Sequence, residues 1–421
     1  MIPQENIQKT YFFSETSSSS QRISIYSLLA HIYFFFNSVF LPKGILFTTI
    51  LSPVFFFNQI KNKRKTFAFS FFSVLFLYDF VHLYSGVDFT SFIISNGLFI
   101  STYFFVISFY HFINLYGSLS KLFKQILVFN FFLALISVPF LFMETQYQNW
   151  LWWVNQLTKG ITNFPRLKLF TYEASYYALL FVPIFFYYIF KLLFNDIQNN
   201  KKLTMIFVFT PLILSMSFGV IGATLITALV MSFIFIKKLL KFQRAFILTC
   251  SCLLITVAGF VFAVVFFPTN PILIRIFNIL EGSDTSANGR IGDSYAMAWR
   301  IAELKSLYFG AGLGQVKIQT FEVVRKYFNY WGEFPRYDIP NTMGETLAIF
   351  GIFGVVLRLF LEIYLFFKTK VFSNYYRLAL FIFVFIYQFT GSFITNIVEY
   401  VIWTIAFSNA FEQFNIKKET A

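Results

Sequence analysis

Charge is scarce in this chain of 421 residues: only 12 % of them are Asp, Glu, Lys or Arg, while 57 % are hydrophobic. Soluble domains carry roughly twice that charge fraction, and the mean hydropathy of +0.67 excludes a soluble enzyme or nucleic-acid-binding module in favour of a polytopic membrane protein. Cysteine is almost missing. Cys250 and Cys252 are the only two and lie in one apolar run, which argues against a disulfide framework, a thiolate metal site and redox chemistry. Histidine is equally sparse: His31, His82 and His111 all fall within or beside apolar runs, so no metal and no cofactor is implied. Residues 1–22 lack a short apolar core and a small-residue cleavage site, so the expectation is a polar cytoplasmic tail and not a signal peptide. The most abundant apolar residue is Phe, with 66 copies, a bias to which no mechanism attaches.

Long apolar runs are what the chain has instead. Segments able to cross ~30 Å of hydrocarbon fall near 23–41, 44–60, 66–85, 89–115, 125–143, 176–194, 203–218, 220–236, 245–267, 341–367, 378–395 and 397–411. The expected fold is an all-α integral membrane protein with about 12 transmembrane helices, ten being the alternative count. A membrane domain over 23–411 then lies between cytoplasmic tails at 1–22 and 412–421. Assigning alternate connections to the cytoplasm places 20 of the 33 Lys and Arg there, as the positive-inside rule expects. The basic residues also differ in kind: 16 of those 20 are Lys, whereas 6 of the 12 on the outer side are Arg. Arginine's planar fork grips phosphate oxygens in pairs, and lysine does not.

Those arginines sit in two outer segments, 144–175 and 268–340. The second is too long for a plain connector and is expected to fold onto the membrane as amphipathic helices. Within "IGDSYAMAWRIAELKSLYF" the residues Ile291, Tyr295, Ala298 and Ala302 recur at helical spacing, which places Arg290, Asp293 and Arg300 within one ~80° sector at 100° per residue. Two readings stay open: an anion-binding helix, or an interfacial helix with snorkelling arginines. The helix ends in "GAGLG" (310–314), which is not a dinucleotide fingerprint because no strand precedes it. Beyond it, "RKYFNYWGEFPRYDIPN" (325–341) mixes aromatic rings with Arg336 and Asp338, a mixture that suits sugar rings or an interfacial belt. The first segment places Trp150, Trp152 and Trp153 at the expected interface, then Arg166, Lys168 and Glu173. Glu173 opens a helix, where spacing alone favours a cap-region charge over a general base.

Three stretches together resemble the superfamily of O-antigen polymerases (Wzy type) and O-antigen ligases. They are "TYEASYYALL" (171–180), "NGRIGDSYAMAWRIAELKSLYFGAGLG" (288–314) and "IPNTMGETLAIFGIFGVV" (339–356), in order over about residues 160–400. The resemblance implies a multi-pass glycosyltransferase of the bacterial cytoplasmic membrane, with an active site facing the periplasm or cell exterior. It would move a growing glycan from polyprenyl diphosphate to the next polyprenyl-diphosphate-linked oligosaccharide. Membrane lipid and a chain-length-determining membrane protein are the implied partners, with no nucleic acid among them. By the same resemblance Arg166, Arg290 and Arg300 bind the diphosphate, Glu173 and Asp293 act as catalytic carboxylates, and Arg336, Asp338 and Asn341 contact sugar. Two positions depart from the pattern. Ala174 stands where Pro follows the glutamate, and Pro340 stands where ligases commonly carry His, which favours a polymerase over a ligase.

A flippase for lipid-linked oligosaccharides is the alternative from another class, since transporters place ionisable residues near the membrane midplane. Few charges lie inside the apolar runs: Asp79, Glu345, Arg358, Glu362 and Glu399. Arg358 and Glu362 are four apart, and their spacing reads as a structural ion pair.

Overall fold

The computed structural model describes residues 33–34, 47–61, 69–116, 119–155, 161, 164–194, 200–234, 262, 264–329 and 338–416. These residues are mostly helical. In chain order they form α1 (Phe47–Lys61), α2 (Phe69–Tyr84), α3 (Phe89–Tyr116), α4 (Leu119–Ser137), α5 (Thr145–Leu151), α6 (Ala174–Leu193), α7 (Lys201–Ser215) and α8 (Phe218–Ile234). There follow α9 (Pro271–Leu280), α10 (Thr285–Asn288), α11 (Ser294–Glu303), α12 (Val316–Phe328), α13 (Thr342–Lys368), α14 (Tyr375–Tyr387) and α15 (Ile397–Phe407). Four described helices are long and apolar enough to cross a membrane, over Phe89–Ile113, Leu119–Phe142, Ala174–Leu193 and Thr342–Lys368. Helices occupy most of the described part of the expected apolar runs; 23–41 and 245–267 lie largely outside the described residues.

The all-α expectation needs one correction. Strands β1 (Trp152–Asn155) and β2 (Phe164–Leu167) pair antiparallel, with Trp152 opposite Leu167 and Trp153 opposite Arg166. Side chains alternate faces along a strand, so Trp152 and Leu167 enter one apolar cluster while Arg166 turns to the other face. Trp152, expected at the lipid interface, is 2 % exposed, and its indole N–H donates to the Ser137 carbonyl at 2.8 Å. Trp150, by contrast, is 64 % exposed.

α6 is the axis of the larger core. It is buried on nearly every side and packs against α7, α14 and α15, as a helix apolar all round must. Tyr376 of α14 finds a partner for its hydroxyl in the Pro183 carbonyl, at 3.0 Å. The run expected to extend to residue 395 ends as a helix at Tyr387. The chain beyond it caps α13 instead: Thr342 N donates to Gly391 O at 3.1 Å and Met343 N to Gln388 O at 3.2 Å.

α13 is not continuous. At Gly351 the backbone leaves the helical region, with φ +66° and ψ −164°, which removes the normal partners of residues on both sides. The segment 307–312, which carries the first glycines of "GAGLG", takes their place. Ala311 N and Gly312 N donate to Ala348 O and Ile349 O at 2.8 and 3.0 Å, while Ile352 N and Phe353 N donate to Leu307 O and Tyr308 O at 3.0 and 3.2 Å. The two helix bonds lost, from Ile352 N to Ala348 O and from Phe353 N to Ile349 O, are thus replaced by four bonds across the chain. So close an approach leaves no room for side chains: a Cβ at Gly310 would collide with the Ile349 carbonyl, and one at Gly351 with that of Tyr308. His82 of α2 holds the same segment through Phe309 O at 3.1 Å.

A buried ion network joins α13, α14 and α15. Arg358 Nε lies 3.0 Å from Glu362 Oε1 and 2.9 Å from Gln388 Oε1, and its Nη2 binds Glu399. Gln388 Nε2 donates to Glu362 Oε2 at 2.9 Å, and Thr342 Oγ1 to Glu399 Oε2 at 2.7 Å. The expected Arg358–Glu362 pair is present but is only one part of the network.

Two outcomes follow. Gly351→Ala forces a side chain into a left-handed backbone and onto the Tyr308 carbonyl, so it should cost about 3 kcal/mol or more, read as a lowered Tm or as loss of the monodisperse peak in detergent. Arg358→Leu strands two buried carboxylates and should cost about 3–5 kcal/mol; adding Glu362→Gln and Glu399→Gln should recover much of that loss in the same melt.

Candidate functional site

The segment linking β2 to α6 brings two charged side chains together. Lys168 N and Leu169 N both donate to Leu151 O at 3.0 Å, and Leu169 adopts a left-handed φ of 45°, a conformation that costs an L-residue roughly 1–2 kcal/mol. The Thr171 hydroxyl then bridges the Lys168 and Glu173 carbonyls at 2.7 and 2.9 Å. Arg166 on β2 and Glu173 at the head of α6 thereby interact electrostatically. Glu173 does occupy the cap position, but its side chain caps no backbone N–H and instead accepts from the Ser175 hydroxyl.

Arg290 arrives from the long segment. Residues Gly289–Asp293 form a π turn between α10 and α11, and this turn is why the expected grouping of Arg290, Asp293 and Arg300 fails. A π turn accommodates an extra residue, rotating everything before it relative to the α-helix after it. The buried face of α11 is Ser294, Met297, Ala298, Ile301 and Ala302, whereas Ile291, expected on that face, is 57 % exposed. Arg290 lies within hydrogen-bonding reach of the Tyr387 hydroxyl at the end of α14. Arg300 points elsewhere, with its guanidinium 4.7 Å above the Tyr327 ring.

A third arginine completes the group. Arg275, on the apolar helix α9, interacts electrostatically with Arg166 and Arg290. Sequence reasoning counted it among the outer basic residues without singling it out; its one signal was a charge in the middle of "PILIRIFNIL". Nor did the sequence mark Tyr387, which reads as one more aromatic residue in an apolar run. Burial, then the charges of Arg275 and Arg290, hold the Arg166 guanidinium down to about 10, against the opposing effect of Glu173. Burial and Arg290 likewise lower Arg275, opposed by Asp284. Arg166, Arg275 and Arg290 thus interact as like charges, with Glu173 opposing the effect of burial on Arg166 and Asp284 that on Arg275. Such a cluster binds anions.

The other expected site residues divide. Asn341, expected to touch sugar, is fully buried: its Nδ2 donates to the Arg290 carbonyl and to Ser294 Oγ, and its Oδ1 caps α13 by accepting from Gly344 N. With both amide atoms engaged inside the protein, it holds Arg290 in place and is closed to a sugar. Asp293 ends the π turn, and its side chain caps no backbone N–H of α11. Asp338 forms an exposed pair with Lys317 at 3.3 Å. Arg336 lies outside the described residues. Among the described residues no three His, Cys, Asp or Glu are placed to hold a metal ion.

No family model, curated protein or solved structure matches this chain.

Because the arginines repel one another when no anion is present, neutralising one should relieve that strain. Arg166→Gln should raise the stability of the unliganded protein by about 0.5–2 kcal/mol, seen as a higher Tm, and should abolish the further rise in Tm that pyrophosphate gives the wild type.

Proposed function

We propose that the chain is a polysaccharide repeat-unit polymerase: a multi-pass glycosyltransferase that moves a growing glycan from polyprenyl diphosphate to the next lipid-linked oligosaccharide. The observation that carries this reading is the grouping of Arg166, which interacts with Glu173 at the head of a buried apolar helix, with Arg275 and Arg290. On this reading the chain crosses the bacterial cytoplasmic membrane twelve times, with both tails inside and the arginines facing outward.

Chemically, the acceptor hydroxyl attacks the anomeric carbon of the donor sugar, the bond from that carbon to the phosphate oxygen breaks, and the polyprenyl diphosphate departs with the bonding electrons. The arginine forks stabilise the charge that develops on the leaving group. Glu173, bound only to a neighbouring hydroxyl among the described residues, accepts the acceptor's proton. Tyr387 orients Arg290 from the side. The donor is already activated, so the reaction needs no nucleotide. Arg300 and Asp338 play no part at this centre.

The break in α13 and the charges buried beside it favour one other reading, a flippase for the same lipid, because transporters build their sites on discontinuous helices. Against it, the groups freed at Gly351 and the charges around Arg358 are already paired within the protein.

The test is purified protein incubated with a synthetic polyprenyl-diphosphate repeat unit from its own host, with products read by gel or mass spectrometry. Polymerisation gives a ladder longer than one repeat, and Arg290→Ala lowers its rate at least about a hundredfold. Transbilayer movement of the lipid in vesicles, with no ladder, would replace this reading with the flippase.

A further inference from the structure

Arg275 is placed too specifically to be a structural cation. It is 8 % exposed, in the middle of an apolar helix, with its guanidinium 4.6 Å above the Phe218 ring. Its Nε lies 3.4 Å from Asp284 Oδ2, yet neither atom has a hydrogen-bond partner among the described residues. An arginine buried for stability closes a bidentate bond with its carboxylate; this one does not. Nor is Asp284 free to close the gap. Its Oδ1 caps α10 by accepting from Ala287 N at 2.8 Å, and the residue is 1 % exposed. The carboxylate is fixed by the turn that leads into Arg290, and it steers Arg275 without saturating it.

Arg166 shows the same deficit, since its Nε is also buried without a partner. Unmade bonds from buried charged donors are costly, and here two occur in one cluster of three arginines facing two carboxylates. The cluster retains one positive charge, and the Nε donors of Arg166 and Arg275 close no hydrogen bond among the described residues. An anion with several oxygens satisfies both the charge and the donors. A single phosphate presents one tetrahedral set of oxygens to three forks, whereas two linked phosphates present two sets.

We infer that Arg275 is a third arm of the anion site, donating to phosphate oxygens of a diphosphate beside Arg166 and Arg290, and that Asp284 is its positioning residue. The inference rests on the diphosphate reading of the site given above. Arg275 matters most for the second phosphate, so its loss narrows the preference for diphosphate over monophosphate. Arg290, seated on the π turn at the edge of the cluster, serves both.

The experiment is calorimetric titration of the full-length protein in detergent with three probes: inorganic phosphate, inorganic pyrophosphate and farnesyl diphosphate. Arg275→Gln should weaken pyrophosphate and farnesyl diphosphate by about tenfold to a hundredfold and phosphate by much less. Arg275→Lys should restore part of the affinity, and Asp284→Asn should lower the pyrophosphate-to-phosphate ratio, a change that packing alone does not produce. Should Arg275→Gln fail to fold, Arg275→Lys decides the matter through the same ratio. Wild-type affinities in Arg275→Gln, or in that case Arg275→Lys, alongside lost binding in Arg290→Gln would overturn the third arm and leave the diphosphate site standing. A wild type that binds neither pyrophosphate nor farnesyl diphosphate would overturn both. Binding of pyrophosphate but not of farnesyl diphosphate, with the Arg275 effect present, would support the third arm and assign the site to a free anion instead of a lipid headgroup.

Discussion

The placement of Arg290 depends on how the break in α13 is closed. Within hydrocarbon a backbone amide or carbonyl must find a partner inside the protein, and the turn at Gly351 removes two of each from the helix. The segment 307–312 supplies all four partners, so the seating of that segment and the shape of α13 are a single event. Because 307–312 follows α11 directly, the exchange also fixes α11 against α13, and with α11 the π turn that carries Arg290. Asn341 ties the same turn to the start of α13 from the other end. Arg290 is therefore located by two anchors on one helix, one a side chain and one a backbone exchange.

The buried ion network completes that scaffold from the opposite side. Glu399 joins Arg358 in mid-helix to Thr342, the residue next to Asn341. A continuous set of polar contacts thus runs from the middle of α13 to the residue that positions Arg290. Ion pairs of this kind add little net stability over well-packed apolar residues. What they supply here is registry between α13, α14 and α15, and registry matters because Tyr387 reaches Arg290 from the last turn of α14.

The site itself is assembled under electrostatic tension. Arg166, Arg275 and Arg290 come from a strand, a short helix and a π turn respectively; Arg275 and Arg290 raise the cost of keeping Arg166 charged, and Arg290 that of Arg275. On the proposed reading, such a cluster gains most when an anion arrives, since the repulsion is present before binding and is relieved by it. Preorganised donors of this sort need little rearrangement when charge develops on a leaving group.

The sequence by itself determined the membrane character, the positions of the described apolar helices and the two polar segments in which arginines collect. Long apolar runs and their period are local properties, and they survive in any fold the chain adopts. It also pointed to Arg166, Glu173 and Arg290 through a resemblance in three short stretches. What it could not decide was which arginines face one another. The π turn at Gly289–Asp293 shifts the register of a helix without altering composition, so Arg300 was grouped with Arg290 and Arg275 was not. Asn341 was assigned to sugar because burial depends on α11 packing over α13, a contact between segments about fifty residues apart. The strand pair that aims Arg166 was missed for the same reason. Its pairing is a relation between two short segments, neither long enough to announce itself, and only the folded chain brings them side by side.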